Sequence, residues 1–179
     1  MNRLFRSFGP GDRPRSRGQA MVEFALVAPL LFVMLLGIFE AGRFVLNLET
    51  LNNATREGAR YAIVHGADSA CPSGPMPQNK ANPCDPSGAR IVTAVSDAAL
   101  GIANAGALSV PTPRWTLEGS QVLPQSPTDT DPTDGDNGRG NYVTVFADYS
   151  YDPIFKAIFD IGVIPTITIS AESTLVINT

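Results

Sequence analysis

The stretch RSRGQAMVEFALVAPLLFVMLLGIF, residues 15–39, decides the fold of this chain. Its basic start ends at Gly18, and a lone carboxylate, Glu23, stands at the head of an uncharged run from Phe24 to Phe39. As a helix this run is about 24 Å long, slightly under the roughly 30 Å of a bilayer's hydrocarbon core. Small and apolar residues extend it on both sides. The pattern therefore predicts a transmembrane helix over residues 19–42.

The residues before this helix are strongly basic. Five arginines precede Gly18, against Asp12 alone, which leaves eight basic and sixteen acidic side chains in the rest of the chain. Arginine-rich segments beside a span favour the cytoplasmic side, so residues 1–18 are predicted to be a basic cytoplasmic leader. The acidic remainder carries no basic stripe to neutralise phosphates, which argues against nucleic-acid binding.

A cleaved secretory signal is the alternative interpretation of the same run. Such a signal ends at a small-residue cleavage site, whereas residues 40–43 read EAGR directly after the apolar stretch. The absence of that site favours a retained anchor in the cell (inner) membrane, with a single span and the C-terminal domain outside the cytoplasm.

Helical periodicity continues beyond the membrane. Residues 43–65 contain an apolar stripe at spacings of three and four, with polar side chains around the rest. This pattern predicts an amphipathic extension of the helix that packs on a domain. The stripe consists of Phe44, Leu48, Leu51, Thr55, Gly58 or Ala59, and Ala62, and the polar side includes Asn47, Glu49, Asn52, Asn53, Arg56, Glu57 and Arg60.

The remaining residues, 66–179, predict one small extracytoplasmic domain with long loops. A second helix is expected over residues 88–105 and a strand over residues 114–123. Two alternating segments rich in β-formers, 142–149 and 166–177, predict antiparallel strands. The fold class is therefore α+β, with a long transmembrane helix that continues into an amphipathic helix packed on a small antiparallel β-sheet.

Two cysteines, Cys71 and Cys84, lie in a segment rich in Pro, Ser, Asn and Gly. Outside the cytoplasm such a pair favours a disulfide, worth roughly 3 kcal/mol in the chain-entropy description. A metal centre would need more ligands than these two sulfurs provide. The loop with Asp129, Asp131, Asp134 and Asp136 offers oxygen ligands for calcium, but it lacks the glycine and the closing glutamate of an EF-hand loop. A solvated surface loop is the simpler interpretation.

Catalysis is not expected. His65 is the single histidine, and it stands where the long helix should end, a position suited to the helix dipole. The sequence contains no nucleophile elbow, zincin motif or phosphate-binding loop. We therefore expect no enzyme activity, no cofactor, no bound metal and no small-molecule substrate.

Charged residues along the long helix are the other candidate site residues. Glu40 and Arg43 are expected to be interfacial anchors where the helix leaves the membrane. Arg56 and Arg60 are one turn apart and would repel each other without a counter-charge. Either they belong to an exposed ion-pair face with Glu57, or they pack against a partner or the domain.

Several segments together resemble a known family. Residues 18–26, GQAMVEFAL, resemble the processing site and first helical residues of type IV prepilin-like proteins. Residues 29–43 and the segment ATREGARYA, residues 54–62, resemble the TadE-like family, small membrane-anchored pseudopilins of the tight-adherence (Flp) pilus machinery. One departure is Gln19, since major type IV pilins usually start with a bulky apolar residue.

The resemblance implies cleavage by a prepilin peptidase between Gly18 and Gln19, and a role in pilus assembly beside other assembly proteins and pseudopilins. It also implies that Glu23 meets the amino terminus of a neighbouring subunit. Glu40, Arg43, Arg56, Glu57, Gly58 and Arg60 form the helix motif of the resemblance. A membrane-tethered binding module unrelated to pili, with the helix as a mere anchor, is the alternative.

Overall fold

The computed structural model describes residues 17–80, 84–102, 107–119, 135–159 and 165–178. Its helices are α1 (Arg17–Val64), α2 (Ala89–Ala98) and α3 (Ile154–Phe159). Its strands are β1 (Leu108–Ser109), β2 (Arg114–Thr116), β3 (Tyr142–Tyr151) and β4 (Ile167–Val176). The leader before residue 17 and most of the acidic loop lie outside the described residues.

The chain divides into two compact units, one up to Phe39 and one from Glu40 onward. In the first unit, α1 exposes nearly all of its large apolar side chains, including Phe24, Leu30 and Phe32. By length and composition this helix could cross a membrane. The predicted α+β class with a long apolar helix is confirmed.

In the second unit, β3 is the centre of the sheet. It pairs along its whole length with β4, and β1 and β2 share its other edge. All three pairings are antiparallel. The alternation predicted for β3 places Val143, Val145 and Ala147 in the core, but Phe146 on the opposite face is also only 3% exposed. The strand is therefore buried on both faces, as a central strand requires.

The distal part of α1 packs as its apolar stripe predicts. Leu51, Thr55 and Ala62 are buried, while Phe44 and Leu48 border the core. We predicted that Asn47 lies on the polar side of the helix. This prediction is wrong, because Asn47 is only 8% exposed. Asn47 lies one turn from Leu51 on the core side of the helix. The polarity of its side chain predicts the opposite side, because the sequence pattern contains no information about its neighbours in space.

Helix α2 presents Ile91 and Val95 to the same core. It ends at Ala98, earlier than the predicted Ala105. Gly101 follows with φ of 119°, in the left-handed region that interrupts a helix at low cost only for glycine. The sequence pattern could not distinguish this break from one more helical turn.

The predicted disulfide between Cys71 and Cys84 is confirmed, with 5.2 Å between the Cα atoms. It closes a loop whose strands also exchange backbone hydrogen bonds, since the Gly74 N–H donates to the Asp85 carbonyl at 2.7 Å. The disulfide and this hydrogen bond therefore hold the end of the loop in place directly before α2.

Asp85 caps the start of α2. Its carboxylate accepts hydrogen bonds from the backbone N–H groups of Ala89 at 2.9 Å and Arg90 at 2.8 Å, and from the Ser87 hydroxyl at 3.2 Å. Burial raises the pKa of this carboxyl, but the hydrogen bonds together outweigh burial and hold its pKa below the ordinary 3.8.

This cap predicts an acid-sensitive contribution to stability. A depressed folded pKa stabilises the domain fully above the unfolded value of 3.8, and the contribution is lost as the pH falls through the lower folded pKa. We expect Asp85→Asn to unfold with less dependence on pH below 3.8. Trp115, the single tryptophan and 7% exposed, reports the unfolding by fluorescence. An unchanged pH dependence in the variant would contradict the assignment.

Candidate functional sites on the long helix

The first candidate site is the start of α1. Gly18 and Gln19 lie in the first helical turn, so the predicted cleavage bond is inside the helix. The Gln19 side-chain amide donates a hydrogen bond of 3.3 Å to a carboxylate oxygen of Glu23, one turn further on. Both side chains are exposed. Within the described residues this amide is the only hydrogen-bond partner of Glu23.

The surroundings of Glu23 are apolar. Its neighbours Val22 and Phe24 are 61% and 71% exposed, as lipid-facing side chains would be. A single neutral amide compensates a carboxylate poorly where water is scarce, because an isolated charge near hydrocarbon costs several kcal/mol. A positively charged partner would therefore stabilise the Glu23 carboxylate in apolar surroundings.

The second candidate site lies where α1 leaves the apolar run. Glu40 receives a hydrogen bond from the Tyr151 hydroxyl, at the end of β3, and another of 3.1 Å from the Ile154 N–H at the start of α3. Arg43 pairs with the second carboxylate oxygen at 3.3 Å. Its guanidinium also lies 5.5 Å from the centre of the Tyr151 ring, and Phe44 packs edge-on against that ring at 5.6 Å.

Glu40 and Arg43, which we predicted to be interfacial anchors, also contact the domain. Their side chains are only 12% and 25% exposed, so they are not simple snorkelling groups. Tyr151, which was not among the predicted site residues, is 2% exposed, and its hydroxyl donates the hydrogen bond to Glu40. The available signal was the tyrosine at the end of an apolar strand, since a buried hydroxyl needs a polar partner.

The Tyr151 hydroxyl of this cluster keeps its proton. Burial, together with the hydrogen bond and negative charge of Glu40, raises the pKa of Tyr151 to about 12 against a smaller opposing effect of Arg43. The hydroxyl is therefore protonated, and can donate, at any physiological pH. Within the second unit, the cluster ties Glu40 and Arg43 of α1 to β3 and α3.

We expect Tyr151→Phe to lower the free energy of unfolding by about 1.5–3 kcal/mol, the range for a hydrogen bond to a charged group. Tyr149→Phe is the matched control, since Tyr149 is also buried but its hydroxyl makes no hydrogen bond to any described residue. Urea unfolding of the full chain in detergent, followed by Trp115 fluorescence, measures both. Equal losses in the two variants would show that the bond to Glu40 contributes nothing.

The distal helix motif separates into two faces. Gly58 points into the core, where an added Cβ would overlap Cγ2 of Val95 and lie 3.3 Å from Cγ1 of Val145. Arg56, Glu57 and Arg60 are exposed, and no residue in the described ranges forms an ion pair or hydrogen bond with them. Within the described residues the arginines therefore belong to an exposed face of the helix, and a contact with a partner stays a prediction.

Two further predicted features have structural positions. His65 follows α1, its ring stacks on Tyr61 at 3.9 Å, and its Nδ1 lies 2.9 Å from the Tyr61 carbonyl. In the acidic loop, Asp129, Asp131 and Asp134 lie outside the described residues. Asp136 accepts hydrogen bonds from the Gly138 N–H and the Asn141 amide at 2.8 and 2.7 Å, as in a turn. No group of three or more metal-ligating side chains occurs in the part of the chain that the structure describes.

Comparison with known proteins supports the resemblance over the helix. Residues 18–60 match the family model for TadE-like proteins. No curated protein and no solved structure matches the chain. The matched residues include the predicted cleavage bond, Glu23, the Glu40–Arg43 pair and the distal motif. Residues 18–60 are therefore similar to TadE-like proteins, which suggests involvement in a function related to tight-adherence (Flp) pili.

Proposed function

We propose that this protein is a non-enzymatic pseudopilin that takes part in assembling a tight-adherence (Flp) pilus after cleavage by a prepilin peptidase between Gly18 and Gln19. The observation that carries the proposal is the coincidence of two features. Residues 18–60 match the TadE-like family, and Glu23 lies exposed on an apolar helix with one amide as its partner in the described chain.

Cleavage would change the charge balance at the head of the helix. It creates an α-amino group on Gln19, and the carboxylate of Glu23 lies one helical turn away from that residue. When an amine and a carboxylate pair closely, their attraction offsets part of the free energy that each loses on leaving water. A neighbouring subunit can therefore supply the positive partner, and the pairing favours lateral association of the helices.

The proposed location is the inner membrane, with the basic leader in the cytoplasm and the domain outside. The arginines before Gly18 support this orientation through the preference of basic segments for the cytoplasmic side. The Cys71–Cys84 disulfide supports it independently, because disulfides persist in oxidising compartments. The proposed partners are the prepilin peptidase, other pilus assembly proteins and pseudopilins.

The cleavage step is tested by Gly18→Ala in the native host, with the intact mass of the protein as the readout. We expect the full-length form to accumulate, because the resemblance implies that the peptidase recognises the bond directly after Gly18. Gly42→Ala is the matched control: a Cβ at either glycine meets no neighbouring atom within 4 Å. A wild-type protein that always retains its leader would refute the processing step.

The rival function, a tethered binding module, is tested by exchanging residues 19–39 for an unrelated transmembrane helix. Residues from Glu40 onward, which hold the domain, stay intact. The pseudopilin proposal expects loss of piliation with a normally folded domain. Full piliation with the foreign helix would favour the binding module.

A further inference from the structure

The two sulfurs of the Cys71–Cys84 disulfide lie in different surroundings. Cys84 is exposed, whereas Cys71 is half-buried beside Ser73, which is itself only 1% exposed. Arg90, in the first turn of α2, donates a hydrogen bond of 2.8 Å from its Nη1 group to Sγ of Cys71. The disulfide is therefore open to solvent at one sulfur and in contact with a positive charge at the other.

This asymmetry sets a direction for disulfide exchange. A guanidinium beside a cysteine stabilises the thiolate, because it places a positive charge and N–H donors against an anionic sulfur. In an exchange reaction, the sulfur that forms the more stable thiolate leaves more readily, and attack is faster at the sulfur that is more accessible. Both conditions favour attack at Cys84 and departure of Cys71.

We propose that Cys84 is the site at which this protein exchanges its disulfide with an external thiol, and that Cys71 is the leaving and resolving sulfur. The external thiolate attacks Sγ of Cys84 and forms a mixed disulfide with it. The Cys71–Cys84 bond breaks, and its electron pair stays on Sγ of Cys71 as a thiolate beside Arg90. One sulfur–sulfur bond forms as one breaks, so no further oxidant or reductant is consumed in this step.

The backbone holds the two cysteines together independently of their sulfurs. The Gly74 N–H donates to the Asp85 carbonyl at 2.7 Å, and the Asp85 N–H donates to the Pro72 carbonyl at 3.2 Å. These bonds join residues that stand next to Cys71 and Cys84 in the chain, so the Cys71 thiolate stays close to the mixed disulfide. It can then attack Sγ of Cys84, release the external thiolate and restore the original bond. The geometry therefore favours reversible exchange.

The exchange goes beyond the proposed pilus function and does not depend on it, because it uses only residues of the second unit. Its test uses the full-length protein in detergent, with reduced glutathione as the probe. The reaction is quenched with acid at short times, and free thiols are blocked with N-ethylmaleimide. Trypsin cleavage after Lys80 separates the two cysteines into different peptides, and mass spectrometry identifies the modification on each.

We expect glutathione on Cys84 and maleimide on Cys71, with about a tenfold excess over the reverse pattern, since access and leaving-group stability act in the same direction. Arg90→Gln should lower this excess by about threefold, the size of an exposed charge contact. Arg90→Lys should retain most of it, and high salt should reduce it because an exposed charge is screened.

Arg56→Gln is the matched control, since it removes the same charge from an exposed position on α1 and should leave the excess unchanged. Equal labelling of both cysteines, or glutathione mainly on Cys71, would overturn the proposal. An excess that is unaffected by Arg90→Gln would also overturn it, and so would a disulfide that reacts only after the chain is unfolded in urea.

A pair of variants in the native host tests the resolving role of Cys71. Cys71→Ser and Cys84→Ser remove the same disulfide, but only Cys71→Ser leaves the exchanging sulfur without its resolving partner. Intact mass without reduction should show at least tenfold more mixed disulfide in Cys71→Ser. A small added mass identifies a low-molecular-weight thiol as the source, and a protein conjugate identifies a thiol–disulfide oxidoreductase. Equal amounts in both variants, or none in either, would overturn the proposal. The same masses report cleavage after Gly18, so a failure of the processing step is scored separately.

Discussion

Cells that carry Glu23→Ala are expected to insert the protein normally but to assemble few or no pili. Under the proposed function, removal of the carboxylate leaves the α-amino group of the neighbouring subunit without its counter-charge, and breaking such a buried pair costs about 3–5 kcal/mol. That cost corresponds to a loss of subunit association of about a hundredfold or more. Membrane fractionation measures insertion, and electron microscopy of the cell surface measures piliation.

Two further variants isolate the charge at this position. Glu23→Gln keeps the size and polarity of the side chain and should fail as Glu23→Ala does. Val22→Ala removes an equally exposed neighbour without a change in charge and should assemble normally. Full piliation in Glu23→Gln would show that the negative charge is not required, and the pairing argument would then be wrong.

Gly58→Leu is expected to lower the free energy of unfolding of the domain by about 3 kcal/mol or more. Even a Cβ at this position overlaps Cγ2 of Val95, so the larger side chain must displace α2 or β3. The gain of up to about 1 kcal/mol in helix propensity is too small to compensate. For a domain of ordinary stability, about 5–15 kcal/mol, this is a large fraction.

Gly42→Leu is the matched control for this substitution. Gly42 lies in the same helix, but an added Cβ there meets no atom within 4 Å, so only the helix propensity changes. Urea unfolding of the full chain in detergent, followed by Trp115 fluorescence, should show a loss of stability for Gly58→Leu alone. Similar midpoints for the two variants would mean that the α1–α2 contact can adapt, and close packing at Gly58 would not limit stability.

Local patterns in the sequence were sufficient for the main elements. The uncharged run from Phe24 to Phe39 predicted the long helix, because a chain segment of that composition and length suits a bilayer. Alternation predicted β3 and β4 within two residues of their observed ends. Except for Asn47, the three-and-four spacing agreed with the face of the distal helix that enters the core. These signals come from the periodicity of neighbouring residues in the sequence, and they do not depend on contacts that form when the domain folds.

The same patterns could not predict the partners that folding brings together. The Tyr151 hydroxyl and Glu40 are 111 residues apart in the chain, and only the antiparallel course of β3 along α1 places them side by side. Likewise, in the sequence Gly58 is one small residue in a stripe. Only the fold shows that a side chain there would collide with Val95 of α2 and lie close to Val145 of β3.

What the sequence determined by itself is an apolar helix with a carboxylate at its head, a second helical face for a core and two long strands. Tertiary structure decided which charged side chains of that helix have partners within the domain. Glu40 and Arg43 are occupied by the domain, while Arg56 and Arg60 are left exposed. The physical reason is that periodicity specifies which face a side chain occupies, but a charge is neutralised only by groups that approach it in space, and that approach requires the whole fold.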